Sequence, residues 1–319
     1  MTTPSAEMMR FTRVAYEGAQ ARTAAQLADA PELIGTRPRS VVVLATDTLA
    51  RASAGLLVAL KEPLRVPVVL ARTLPSYVGA LDVLIVVGSR AEDEHAARAM
   101  SVASQRGATV VYAGPTEGPL RADAPERAVL LDAPQAAPAI SPARTLCAVS
   151  AVLDLTEDDP HLVSTRLEHL ADVVDEEIAR VHAEREETVN PARNLRSWCE
   201  GARIMHTGYG AVPLALAEVV ARAWSAYALP SGVAEPHEAA DAVAAGVGAA
   251  PRDLFYDPFL DGEREMLPLK VVVWAAEAAH FPGGLAQSTP AVAHGPAAEA
   301  LCLIVRALAA TVPLEEHRE

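Results

Sequence analysis

The 319-residue chain is 51% hydrophobic and 21% charged, and 27 basic against 41 acidic side chains give a formal net charge of −14. That balance argues against nucleic acid and anionic membrane as partners, since both are recognised by gathered Lys and Arg, and only two lysines, Lys61 and Lys270, are present. Cys147, Cys199 and Cys302 are far apart and form no CxxC and no metal spacing, which predicts buried free thiols, a reducing cytoplasmic setting and no metal. The opening residues lack a basic-then-apolar signal pattern, and no apolar run reaches about 18 residues.

Residues 1–35 predict a partly buried helical segment: Phe11, Val14, Ala15, Gly18 and Ala25 share one side, which Arg22 interrupts. A β-branched run follows at Val41–Val43, then the helix-like "LARASAGLLVALK". Next come the short run "RVPVVLA" at 65–71, the strand "DVLIVV" at 82–87, the helical "EDEHAARAMSVASQRG", the strand "ATVVYAG" and a further run, "RAVLLDA". Apolar runs alternating with amphipathic helices imply parallel strands joined by crossovers, so residues 36–155 read as a first α/β domain. Residues 156–200 break the rhythm. Leu167, Leu170, Val174, Ile178 and Val181 recur every three or four positions, predicting one long helix ending near Val189. Asp158 or Asp159 is expected to cap it, and a second helix is expected to start at Pro191. In residues 201–319 the alternation resumes, with strands at "ARIMH", "RDLFYD" and "LKVVVW" and helices at "LALAEVVARAWSAYA", "EPHEAADAVAAG" and "GPAAEALCLIVRALAAT". "HFPGGLAQST", residues 280–289, reads as a polar, Gly-rich loop.

In parallel sheets ligands bind beyond the carboxyl ends of the strands, at helix N-termini. That singles out the turns at 45–53, 88–95 and 133–145. Thr46, Thr48 and Ser89 offer hydroxyls, and Arg90 and Arg144 offer cations. Asp47, Glu92, Asp93 and Glu94 would repel an anion, and read more simply as first-turn carboxylates that stabilise their helices by about 0.3–1 kcal/mol. In the second half Glu235, His237 and Glu238 gather at one turn. A histidine beside carboxylates can be tuned for proton transfer, and the same residues also fit an exposed helix start with Pro236 in its first turn.

The order and spacing of "RPRSVVVLA", "VPVVLARTLPSYVGALDVLIVV", "ATVVYAGPTEGPLRADAPER", "NPARNL" and "AEALCLIVRALAA" resemble the bifunctional phosphoglucose/phosphomannose isomerases of actinobacterial type. These carry two sugar-isomerase (SIS) domains in tandem. The resemblance implies a five-stranded, flavodoxin-like three-layer sandwich in each domain, a homodimer, and cofactor-free aldose–ketose interconversion of hexose 6-phosphates. It casts His237 as the ring-opening acid and Arg144 as an arginine near the sugar. The active-site motifs depart from it. Where a GGS turn is expected the chain has Asp47, Thr48 and Leu49. Where phosphate-holding hydroxyls are expected it has Gly88, Arg90 and Asp93, and Ser225 stands at the place of the catalytic glutamate. Glu235 or Glu238 could replace that base. Three readings follow: a diverged carbohydrate-metabolism relative that binds a sugar phosphate weakly or not at all, an active isomerase with a rearranged site, and a structural partner of a true isomerase.

Overall fold

The computed structural model describes residues 6–227, 229–246 and 267–312. The chain opens with α1 (Ala6–Ala15) and α2 (Glu17–Thr23), then a short 3₁₀ turn. It continues through β1 (Ser40–Ala45), α3 (Thr48–Lys61), β2 (Val68–Ala71), β3 (Asp82–Val87), α4 (Glu94–Gln105), β4 (Thr109–Ala113), α5 (Pro119–Ala122), β5 (Val129–Leu130) and α6 (Pro142–Leu155). The five strands are all parallel, in the order β2-β1-β3-β4-β5. Strand periodicity divides their side chains cleanly. Val41, Val43, Ile85, Val87 and Val111 face α3 and α6, whereas Val42, Leu44, Leu84, Val86 and Tyr112 face Ala96, Ala99, Met100 and Ala103 of α4.

The helices α7 (Pro160–Arg180) and α8 (Pro191–Cys199) lead to a second parallel sheet. It is built from β6 (Arg203–Thr207), α9 (Ala211–Ala226), β7 (Ser231–Val233), α10 (Pro236–Gly246), β8 (Leu269–Trp274) and β9 (Leu285–Gln287), in the order β7-β6-β8-β9, and α11 (Pro296–Ala309) closes the chain. Helix α3 packs on α9, so one apolar core runs from the first sheet into the second. Both sheets are flanked by helices, the α/β architecture expected of tandem SIS domains.

Several local expectations are corrected. The N-terminal segment is two helices, broken at Tyr16, and the second is aimed by side chains: Gln20 Nε2 donates to Pro138 O at 2.7 Å, and Glu17 reaches Ser141 and Ala143. Ala15, expected on the buried side, is exposed, and Arg22 pairs with Asp172 and Asp175 on α7 at 2.8 Å each. Helix α7 ends at Arg180, not near Val189, because the carbonyls that would accept later turns go elsewhere. Asn190 Nδ2 donates to His182 O at 3.0 Å, and the Arg193 guanidinium binds Ala183 O. Of the two aspartates before Pro160, Asp159 is the cap, accepting from His161 N at 2.9 Å. Residues 285–287, read as loop, are a strand on β8. The second sheet has four strands among the described residues where the resemblance implied five, and the run at 252–257 lies outside those residues.

Helices α7 and α11 are joined by a buried pair. Arg306 Nε and Nη2 both donate to Glu177 Oε1, at 2.9 and 2.8 Å, and Arg306 Nη1 donates to Ser288 O at 2.7 Å. Removing Arg306 leaves the fully buried Glu177 carboxylate with Arg180, whose Nη1 lies 3.2 Å from Oε2, as its remaining cation, and empties the side of Oε1. Arg306→Met is expected to lower unfolding stability by about 3–5 kcal/mol, read from the urea midpoint.

Candidate functional site

In a 2-1-3-4-5 sheet the strand order reverses between β1 and β3, and their carboxyl ends open the crevice where such folds bind ligands. Here β1 runs into Thr46 and Asp47, and β3 into Gly88 and Ser89. Asp47 has an extended backbone and caps α3, its Oδ1 accepting from Ala50 N at 2.8 Å. Its Oδ2 accepts from Ser89 N at 2.7 Å and Ser89 Oγ at 2.9 Å. A helix N-terminus and a loop amide are the donors that hold an anion in these folds, and in this chain they already hold one, supplied by the chain itself.

The crevice is also full. Gly88 has φ +127°, and a Cβ added there would fall 2.2 Å from Thr46 Oγ1 and 2.8 Å from Asp47 Oδ2. The free volume between Asp47, Ser89, Ser141 and Arg144 is about 10 Å³, room for about one water molecule. Arg144 is buried beneath it. Its Nη1 donates to Gly114 O at 2.8 Å, its Nη2 to Leu131 O, and its Nε has no partner among the described residues. Burial pulls the Arg144 pKa down to about 10, so it remains a cation at neutral pH. Asp47 and Arg144 together place one charge of each sign on the walls.

Of the ligand-binding candidates, Thr46, Ser89 and Arg144 therefore converge here. Thr46 is buried, its Oγ1 accepting from Arg90 N at 3.4 Å, while Thr48 and the Arg90 side chain are exposed. Arg90 Nη1 lies 3.5 Å from Asp93 Oδ2. Asp93 caps α4, accepting from Ala96 N at 3.0 Å, and Glu92 and Glu94 face solvent. Glu235, His237 and Glu238 are exposed at the end of β7 and line neither this crevice nor the cavity beside it. Glu238 Oε2 accepts from Glu235 N at 3.0 Å, the back-reaching bond of a capping box.

Beside the crevice, sharing Ile140 and Pro142 with it, opens a cavity of about 480 Å³. Arg10 and Arg13 of α1, Glu17 of α2, Arg196 of α8 and Tyr227 after α9 supply its polar wall, and the Arg13 guanidinium carbon lies 5.5 Å from the Tyr227 ring centroid. Glu17 is 1% exposed. Its Oε2 accepts from Ser141 Oγ at 3.1 Å and Ala143 N at 2.9 Å. Burial outweighs these two bonds and pushes its pKa to about 8. The sequence reading passed over this cavity. The available signal was Glu17 itself, a carboxylate three residues after Val14, on the side that Phe11 and Gly18 bury.

A second titratable group passed over is His206, on β6. Trp274 Nε1 donates to its Nδ1 at 3.1 Å, so its Nε2 carries the proton and faces Ser231 Oγ at 3.0 Å. Burial pulls its pKa to about 3, and it serves the core as a neutral ring edge-on to Trp224.

Comparison with known proteins gives a likeness of fold. No family model and no curated protein sequence matches the chain. Solved structures do. A candidate phosphosugar isomerase from Silicibacter pomeroyi aligns over 96% of this chain and 95% of its own, with TM-score 0.60 and 15% identity. Tagatose-6-phosphate ketose/aldose isomerase from Escherichia coli aligns over 98% and 95%, with TM-score 0.59 and 12% identity. The C-terminal domain of glucosamine-fructose-6-phosphate aminotransferase from Francisella tularensis aligns over 94% of both chains, with TM-score 0.59 and 8% identity. Among the described residues no helix is long and apolar enough to cross a membrane.

The Glu17 shift sets a pH dependence. Between its ordinary value of 4.5 and about 8, the folded chain holds a proton that the unfolded chain has released. Stability from this group therefore falls as pH rises through that window, by up to about 1.4 kcal/mol per pH unit, and levels off above about 8. Glu17→Gln should remove the slope, so urea midpoints of variant and wild type should diverge between pH 5 and 8 in the variant's favour.

Proposed function

We propose that this chain is a diverged protein of carbohydrate metabolism on the phosphosugar-isomerase scaffold, derived from the phosphoglucose/phosphomannose type, whose phosphate crevice is closed to sugar phosphates. Its two domains span residues 36–155 and 201–319, with 156–200 as the helical bridge. The observation that carries this reading is the Asp47 carboxylate. It takes up the donors of α3 and of the loop after β3, and leaves about 10 Å³ where a phosphate would lie.

Two further features agree. Aldose–ketose interconversion needs a base to move a proton between neighbouring carbons, and the place where the resemblance expects one holds Ser225, which is exposed. Glu235, His237 and Glu238, the alternative acid and bases, lie outside the crevice and in solvent. A phosphate entering beside Asp47 would meet a like charge, and at 4 Å that repulsion amounts to about 4 kcal/mol at an effective dielectric of ~20 for each pair of unit charges.

Wild-type protein should show no turnover of fructose 6-phosphate or mannose 6-phosphate in a coupled assay. Asp47→Gly should bind fructose 6-phosphate at least about tenfold more tightly by calorimetry, since it removes the competing carboxylate and frees Ala50 N, Ser89 N and Ser89 Oγ, at a cost in folding stability from those lost bonds. Wild-type turnover, or a variant no better at binding, would restore the reading of an active isomerase with a displaced base.

A further inference from the structure

The cavity beside the crevice differs from it in every respect that matters to a ligand. Its volume, about 480 Å³, falls within the range of roughly 300–1,000 Å³ typical of small-molecule sites. In a chain of net charge −14, three arginines meet there, from two helices that are far apart in sequence. Arg10, Arg13 and Arg196 have no carboxylate partner in an ion pair among the described residues, unlike Arg22, Arg193 and Arg306, which do. Among the described residues Arg196 reaches a carbonyl, Ala310 O at 3.5 Å, and Arg13 lies over the Tyr227 ring and hydrogen-bonds that side chain. Among the described residues the one acid on the wall is Glu17, 1% exposed and committed through Oε2 to Ser141 and Ala143. Guanidinium groups with donors to spare at a cavity of this size suit a carboxylate or phosphate group.

We propose that this cavity binds a small organic anion, its charge held by Arg10, Arg13 and Arg196 and its neutral part lying toward the Glu17 carboxyl and the Tyr227 hydroxyl. The site uses none of the residues of the Asp47 crevice except the shared wall at Ile140 and Pro142, so it stands or falls separately from the closure of that crevice. Glu17 gives the site a pH response. Among the described residues the charged and titratable groups around it are Arg10 and Arg13 on α1, Cys147 on α6, Arg196 on α8 and Tyr227 after α9. Burial raises both Cys147 and Tyr227, so Glu17 is the group among them that changes charge near pH 8, and its carboxylate then opposes an anion.

The test is calorimetry with two probes whose charge is constant from pH 7 to 9, sulfate for the tetrahedral class and malonate for the carboxylate class. Saturable binding of one or both to wild type at pH 7 is expected. It should weaken at least about tenfold in Arg13→Gln and in Arg196→Gln, with Arg10→Gln as the surface variant least able to disturb folding, and should be unchanged in Arg65→Gln, an exposed control elsewhere. Affinity should fall between pH 7 and 9 in wild type and not in Glu17→Gln. The probe that binds more tightly assigns the ligand class. No saturable binding of either probe, or equal binding in all three cavity-arginine variants and wild type, would overturn the site.

Discussion

The carboxylate of Asp47 holds together the part of the molecule where function would be sought. It accepts from the first turn of α3 through one oxygen and from both the amide and the hydroxyl of Ser89 through the other. Hydrogen bonds to a charged acceptor contribute about 1.5–3 kcal/mol each. An incoming phosphate could recover them only by displacing a group attached to the same backbone, which suffers no loss of translational freedom on binding. The crevice is thus self-liganded, and its neighbours are built around that state. Gly88 has no Cβ because Thr46 and Asp47 occupy the space, and Arg144 is buried against strand-end carbonyls rather than extended toward solvent.

Acidic side chains at helix starts recur through the fold, with outcomes that depend on burial. Asp93 and Asp159 cap α4 and α7 near the surface, the ordinary role of such residues. Asp47 caps α3 and also crosses to the next strand. Glu17 comes from another helix to the first turn of α6, beside the Ser141 cap, and is so enclosed that burial outweighs the bonds it accepts. The same carboxyl chemistry therefore yields a fixed anion at the crevice and a proton-holding acid at the cavity, two places that share Ile140 and Pro142 as a wall.

The order of strands and helices in the first half was legible because parallel strands buried on both faces read as unbroken apolar runs, as Asp82–Val87 does. So were the start of α8 at Pro191 and the capping of α7 by one of the two aspartates before Pro160. The short elements were not: Leu285–Gln287 is three residues in a Gly-rich stretch, and its strand character comes only from pairing with β8. The end of α7 was hidden because the side chains of Asn190 and Arg193 that bind the carbonyls of His182 and Ala183 come from the next helix start. At the site, the turns after β1 and β3 could be named and their acids recognised as foreign to a phosphate cradle. That Asp47 and Ser89 bond across 42 positions is a tertiary fact, and the convergence of Arg10, Arg13 and Arg196 is another, since the sequence separates α1 from α8 by more than half the chain.

The two regions also differ in how they meet the cost of buried charge. In the crevice Asp47 and Arg144 oppose each other, so the interior stays near neutrality with no ligand present. In the cavity, among the described residues, the one wall carboxyl gives up its charge to burial, and the guanidinium groups are left without a carboxylate ion pair. Arg10 and Arg13 stay exposed to water and Arg196 is half-buried, so their charge is carried without the cost of full burial. Cations without a carboxylate ion pair among the described residues thus gather on a wall made by α1 and α8, beside the sheet ends where this architecture ordinarily receives a ligand. Three arginines at one cavity in a chain of net charge −14 make that wall the cationic counterpart of the self-liganded crevice.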